Sequence, residues 1–159
     1  MARATQSASV SEGVNALLEA PRYEVLPFKS FDDQITHLPD GATITITASP
    51  QLGIERTIEK SLMAAEAGFE VVPHVSARYV EDGEHITEIT ETLQDAGITD
   101  IFVPGGDREE PIGEFDSAYA MLAKMDELGL EFDDVGITGY PEGHPFISDA
   151  TLAEHMEKK

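Results

Sequence analysis

The sequence predicts an α/β fold built on parallel strands, and three observations carry that expectation. Short apolar, β-branched runs recur at 23–27, 43–47, 70–73, 100–103 and 134–138. Between them lie stretches with apolar residues at helical spacing. Glycines stand where those stretches end, at Gly68, Gly97 and Gly129, as helix C-terminal caps do. Strand–helix alternation implies a parallel sheet with right-handed crossovers. A complete (β/α)8 barrel of the TIM type takes about 250 residues, roughly 31 per unit. The chain has 159 residues, the length of about five such units. Two architectures fit: a barrel truncated to about five β/α units, or a small open α/β sheet. The first is preferred, with residues 1–159 forming one partial barrel domain at the N-terminal side of a longer protein.

Each element has its own signal. A leading helix within residues 1–20 is expected from Ser9 or Ser11 as N-cap. The first run, Tyr23-Glu24-Val25-Leu26-Pro27, stops at a proline, and the second ends at Thr47. Ile54, Ile58, Leu62 and Ala65 then share a helix face. The third run ends Val72-Pro73-His74, and is followed by a helix with Ile86, Ile89, Leu93 and Ala96 on one side. The fourth ends Val103-Pro104-Gly105-Gly106-Asp107, followed by a helical stretch carrying Phe115, Ala118, Tyr119, Leu122 and Met125. The fifth runs into Gly139-Tyr140-Pro141-Glu142-Gly143-His144-Pro145, and residues 148–159 read as a last helix. Near-continuous apolar runs predict strands covered on both faces. The first and last strands are expected to keep open edges.

Composition narrows the function. The formal net charge is −21, from 31 acidic and 10 basic residues. That field repels nucleic acid and anionic membrane. The acidic excess runs through every segment, which fits a salt-rich cytoplasm, as in a halophile, where ions screen the self-repulsion; an ordinary acidic surface is the equal alternative. Cysteine is absent, so disulfides, thiolate metal sites and cysteine nucleophiles are excluded together. Residues Met1 to Ser7 have no apolar signal-peptide core, and no run is long enough to cross a bilayer. A cytoplasmic location is expected.

The candidate chemistry sits where the apolar runs end: Glu24, Thr47, His74, Asp107, Tyr140, Glu142 and His144. In a barrel such positions converge at one mouth. Carboxyls, imidazoles and a phenol there suit proton transfer and a flat polar ligand. Glu24 lies among apolar neighbours, where desolvation raises a carboxyl's pKa and lets it act as an acid; a strand-edge Glu facing water is the alternative. Asp107 follows a Gly-Gly pair that lets backbone amides approach a ligand; a turn aspartate is its alternative. A metal site of His74, Glu142 and His144 is conceivable but matches no strong zinc spacing. His37, His85 and His155 have no evident task. No G-x-G-x-x-G or G-x-S-x-G motif is present.

The chain resembles the methylenetetrahydrofolate reductase family of flavin-dependent (β/α)8 barrels. The resemblance is carried by Tyr23-Glu24-Val25-Leu26-Pro27, Ile46-Thr47, Pro73-His74-Val75-Ser76-Ala77-Arg78, Gly106-Asp107 and Tyr140-Pro141-Glu142-Gly143-His144-Pro145, in order across nearly the whole chain. It implies hydride transfer to 5,10-methylenetetrahydrofolate, giving 5-methyltetrahydrofolate, with FAD as cofactor and NAD(P)H as electron source. Glu24 matches the general acid that protonates the folate amine as its ring opens. Asp107 matches the carboxylate beside flavin and pterin, stabilising the cation and tuning the flavin. Thr47, His74, Gly106, Asp107, Tyr140 and His144 match flavin contacts, and Lys159, with Lys158, falls near the basic residues for the dinucleotide.

The resemblance has departures, which mark a divergent branch. Gly105 stands where the family has an arginine, removing a cation from the flavin diphosphate. Asp116 replaces an alanine. Direct hydride transfer from nicotinamide therefore stays open as a route. Units six to eight, which supply folate contacts in the family, are not in this sequence. Two other readings are a non-catalytic flavin- or pterin-binding half-barrel, and an inactive fragment whose strand edges pair into homo-oligomers. The expected partner is a folate small molecule, with neither nucleic acid nor membrane.

Overall fold

The computed structural model describes Val14, Leu18, residues 20–144 and residues 147–158. Apart from Val14, Leu18 and Ala20, the expected leading helix over 1–20 lies outside the described residues, as does Lys159. Five strands form where the apolar runs stand: β1 (Tyr23–Val25), β2 (Thr43–Ile46), β3 (Glu70–Pro73), β4 (Asp100–Val103) and β5 (Asp134–Ile137). The helices are α1 (Phe31–Ile35), α2 (Gly53–Glu66), α3 (Gly83–Asp95), α4 (Ala118–Leu128) and α5 (Asp149–Lys158). A 3₁₀ turn, Ala77–Tyr79, follows β3. Neither α1 nor this turn has an apolar period long enough to be predicted.

The architecture is mixed α/β, with parallel strands in two small sheets. One has the order β1-β2-β3 and the other pairs β4 with β5. Every pairing is parallel. Past the end of β3, a parallel bridge joins His74 to Phe102, and the Val75 amide donates to the Phe102 carbonyl at 2.8 Å. The two sheets therefore follow one another edge to edge in chain order. Among the described residues β1 and β5 share no ladder. However, Arg22 at the foot of β1 lies 3.9 Å from Asp134 at the foot of β5. An arginine spans only a few ångströms, so the strand array is curled and its outer edges approach each other.

Register sorts the strand residues onto two faces. Val25, Ile44, Ile46, Val71, Ile101 and Val103 are buried in one core cluster with Ile54, Ile58, Ile86, Leu93, Met121 and Met125 from the helices. Each fully buried side chain of this kind contributes about 1.5–3 kcal/mol. The opposite face carries Glu24 paired to Thr45, Thr45 paired to Val72, and Phe102 paired to Gly136. There Glu24 is exposed, while Thr45 and Phe102 are half-buried. The expectation of strands covered on both faces holds for β3, where Val71 and Val72 are both buried, and is corrected at β1 and β2, where Glu24 is exposed and Thr45 half-buried. Thr43-Ile44-Thr45-Ile46 alternates, and β-branching alone merges threonine with isoleucine.

The helices begin and end largely as their flanking residues dictate. Asp82 caps α3 by accepting from the His85 amide at 2.9 Å, and Ser117 caps α4 from Ala120 at 3.3 Å. Gly129 closes α4 in the left-handed conformation at φ 69°. In α2 the buried face is Ile54, Thr57, Ile58, Ser61 and Ala64, while Leu62 and Ala65 are half-buried. The face is rotated from the apolar expectation because local acceptors satisfy its hydroxyls. Thr57 donates to the Thr47 carbonyl at 3.2 Å and Ser61 to the Thr57 carbonyl at 2.8 Å. Lys60 is buried as well, with Nζ 2.6 Å from Asp32 Oδ1 and 5.0 Å from the Phe31 ring centre.

Candidate functional site

The ends of β2, β3, β4 and β5 open onto one cleft of about 1880 Å³. Its walls include Thr47 after β2, His74 after β3, Gly105, Gly106 and Asp107 after β4, and Thr138, Tyr140 and His144 after β5. Ordinary small-molecule pockets run to about 300–1,000 Å³. The cleft is open and exceeds that range. The parallel topology explains the convergence: every strand delivers its next residue to the same edge.

Two loops shape the central wall. After β3 the chain enters the 3₁₀ turn, and the Ala77 and Arg78 amides donate to the Pro104 and Gly105 carbonyls, each at 3.0 Å. The loop after β4 is tied back in turn. The Ile112 amide donates to the Arg78 carbonyl at 3.0 Å and the Glu114 amide to the Glu81 carbonyl at 2.8 Å. At Gly113 a Cβ would stand 1.7 Å from the Glu81 carbonyl oxygen, so only glycine allows the two backbones to meet. Gly106 adopts φ 92°, a conformation that costs an L-residue strain.

Asp107 is held by the Tyr79 hydroxyl, which donates to its Oδ1 at 2.5 Å. Tyr79 is buried, and burial, reinforced by that carboxylate, pushes its phenol well above the usual range. The hydroxyl therefore stays protonated and serves as a fixed donor. His74 rests against Phe102, their ring centres 4.7 Å apart. Burial lowers its pKa from 6.5, while the Glu24 carboxylate pulls the other way. The imidazole is thus neutral at pH 7. Tyr140 and His144 meet edge to face at 4.9 Å.

The cleft holds buried polar atoms with no partner among the described residues: Thr47 Oγ1, Thr138 Oγ1 and Arg78 Nε. The two hydroxyls come from strand ends on opposite flanks of the His74–Phe102 pair. Polar atoms left without a partner at both flanks suit a ligand with polar edges. Gly105 offers no cation at its own position. Among the described residues no cluster of three His, Asp or Glu side chains could hold a metal ion, and His74, Glu142 and His144 do not form one.

Of the sequence-predicted residues, Thr47, His74, Gly106, Asp107, Tyr140 and His144 all line the cleft, as do Glu142 and Asp116. Glu24 does not line it. It is exposed, so of its two readings the strand-edge carboxyl facing water holds and the one buried among apolar neighbours does not. Strand alternation sends Val25 into the core and Glu24 to the opposite face, where its charge acts on His74. Lys158 lines the cleft and pairs with Glu154. His155, given no task from sequence, also lines the cleft, its ring 6.2 Å from Tyr119. Arg78, Tyr79, Arg108 and Thr138 were missed as site residues. Arg78 and Tyr79 follow the Pro73-His74 motif directly, but the turn that aims them has no sequence period.

The fold is that of a parallel α/β protein with a cleft at the carboxyl ends of its strands. No protein-family model matches the chain. No helix among the described residues is long and apolar enough to cross a membrane.

Proposed function

We propose that the chain is a five-unit portion of a (β/α)8 barrel and carries the catalytic half of a methylenetetrahydrofolate reductase. The observation behind this reading is the shared cleft: Thr47, His74, Gly106, Asp107, Tyr140 and His144 come from four strand ends and line one cavity. A strand order without reversal also favours a barrel, because doubly wound sheets reverse at a switch point. Steady progression with right-handed crossovers keeps all helices on one side, and the uncovered face with Glu24, Thr45 and Phe102 becomes a barrel interior.

A bound flavin, or nicotinamide directly, supplies the hydride. The chain's own residues do the rest. Thr47 and Thr138 offer hydroxyls to the edge of a flat ring. Neutral His74, its ring tilted 40° against Phe102, gives the cleft an aromatic wall. Asp107, fixed by the Tyr79 donor, places negative charge where a cationic folate intermediate forms. Glu24 matches the family's acid by sequence position, and its carboxylate acts electrostatically on His74. The activity belongs to one-carbon metabolism in the cytoplasm.

The test is NAD(P)H oxidation dependent on 5,10-methylenetetrahydrofolate, with flavin absorbance recorded on the purified protein. Folate-dependent oxidation supports the reductase; its absence with or without added FAD rejects it. A second reading, a flavin- or pterin-binding half-barrel without turnover, is favoured by one observation: Glu24 is exposed and stands off the cleft wall. Ligand binding without oxidation selects that reading.

A further inference from the structure

We infer that His74 is the proton carrier of the cleft: its imidazole links the water-facing Glu24 carboxylate to the cavity and hands a proton to the ligand bound there. This rests on the cleft being a ligand site, as proposed above, and adds which side chain delivers the proton that the reaction takes up.

Strand register places the two groups. Glu24 pairs with Thr45, and Thr45 with Val72. These three form one cross-strand row on the face turned away from the core cluster. Residues two apart on a strand share a face, so His74, two beyond Val72, belongs to the same face one row on. Its own row continues to Phe102 and from there to Gly136. Glu24 and His74 are thus offset by about 7 Å along the strands and about 10 Å across them. The array is curled, with Arg22 and Asp134 3.9 Å apart at its foot, and side chains on its inner face converge.

Only one of the two reaches the cavity. His74 lines the cleft and Glu24 does not. Glu24 is exposed, while His74 is half-buried. A carboxylate off the wall exchanges protons with solvent, not with a ligand in the cleft. The imidazole is positioned for the second exchange. Its backbone amide donates to the Ile46 carbonyl at 2.9 Å. Its ring centre lies 4.7 Å from that of Phe102, which in turn fills the space over Gly136, where an added Cβ would meet Phe102 Cδ2 at 2.6 Å. Among the described residues no hydrogen bond occupies its ring nitrogens, which leaves them for a ligand.

The charges around the ring are few. Its neighbours across the sheet, Thr47 and Phe102, carry none. Arg78, Asp107 and Arg108 line the cleft from the loops after β3 and β4, and Tyr140, Glu142 and His144 from the loop after β5. Glu24 is the carboxylate that acts on the imidazole, favouring its charged form against burial. Burial makes the imidazolium a readier acid, and Glu24 keeps that form within reach. In the step itself the imidazolium N–H bond breaks and an N–H bond forms on a nitrogen of the ligand. Neutral His74 then takes its next proton from water on the Glu24 side, and no electron is transferred.

The test has two arms. In the first, the His74 ring resonances of the 159-residue chain are followed against pH by NMR, in wild type and Glu24→Gln, with and without FAD or NADH. The His74 pKa should move down in Glu24→Gln, and one of the ligands should shift the ring resonances. Equal pKa values in the two proteins, or ring resonances indifferent to both ligands, overturn the proposal. In the second arm, folate-dependent NAD(P)H oxidation is measured against pH. The rate should fall as pH rises through the His74 titration. His74→Gln should lose about tenfold or more in rate together with that limb, and Glu24→Gln should move the limb to lower pH. A Glu24→Gln protein that loses activity with its limb in place assigns the proton to Glu24 itself and overturns the proposal. If His74→Gln does not fold, the comparison of wild type with Glu24→Gln decides alone. A complete absence of folate-dependent oxidation rejects the reductase, and the first arm then decides the coupling by itself.

Discussion

Replacing Gly113 by alanine tests how the central wall of the cleft is built. The new Cβ would lie 1.7 Å from the Glu81 carbonyl oxygen and 2.3 Å from its carbon. Backbone cannot swing aside as a side-chain tip does, so the loop after β4 must lift from the 3₁₀ segment. Lifting it threatens the Ile112–Arg78 and Glu114–Glu81 hydrogen bonds. Overpacking costs about 1–3 kcal/mol, and each lost hydrogen bond about 0.5–1.5 kcal/mol. Together these give about 2–6 kcal/mol, or a fall in Tm of roughly 4–24 °C for a chain of this size. Gly105→Ala is the control, because its added Cβ meets nothing within 4 Å and its φ is not positive. Thermal unfolding of both variants in the same high-salt buffer reads the difference. A Gly113→Ala protein as stable as Gly105→Ala would refute the close backbone approach and the wall derived from it.

Further predictions concern the inner face and the charge. At Gly136 an alanine Cβ would come within 2.6 Å of Phe102 Cδ2; displacing that ring should cost about 1–3 kcal/mol and alter the His74 NMR titration, and an unchanged titration would contradict the His74–Phe102 contact. Burial depresses the His74 pKa in the folded state below 6.5, so the unfolded chain takes up the proton first. Stability is therefore full above pH 6.5 and declines as pH falls from 6.5 through the folded value. His74→Asn should flatten that decline in denaturant titrations, and an equal slope in both proteins would remove His74 as its source. With a net charge of −21, the chain should lose stability as salt falls from molar to millimolar; circular dichroism showing an equally stable fold at both extremes would contradict that.

Much of this architecture was legible in the sequence. All five strands lie within the apolar runs, because a run of β-branched residues bounded by Pro and Gly has few other uses. Gly68, Gly97 and Gly129 all take positive φ, as their positions after helical stretches predicted. The site residues that end strands were legible for the same reason, since parallel topology alone gathers them. What stayed hidden depends on side-chain direction. The burial of Glu24 stayed open between two readings, because its neighbours are apolar but one step along a strand reverses the face. The face of α2 was drawn through Ile54, Ile58, Leu62 and Ala65, yet local carbonyls let Thr57 and Ser61 pack inward. Arg78 and Tyr79 owe their place to a three-residue turn and to a loop contact at Gly113, neither of which leaves a periodic trace.

One measurement bears most directly on the claim that four strand ends share a single ligand site. Amide chemical-shift mapping of the 159-residue chain, titrated with FAD and separately with NADH, reports on every strand end at once. The account predicts that one ligand moves the resonances of Thr47, His74, Gly106 and Tyr140 together, with one common saturation curve. Shifts confined to a single strand end, or absent with both ligands, would contradict it.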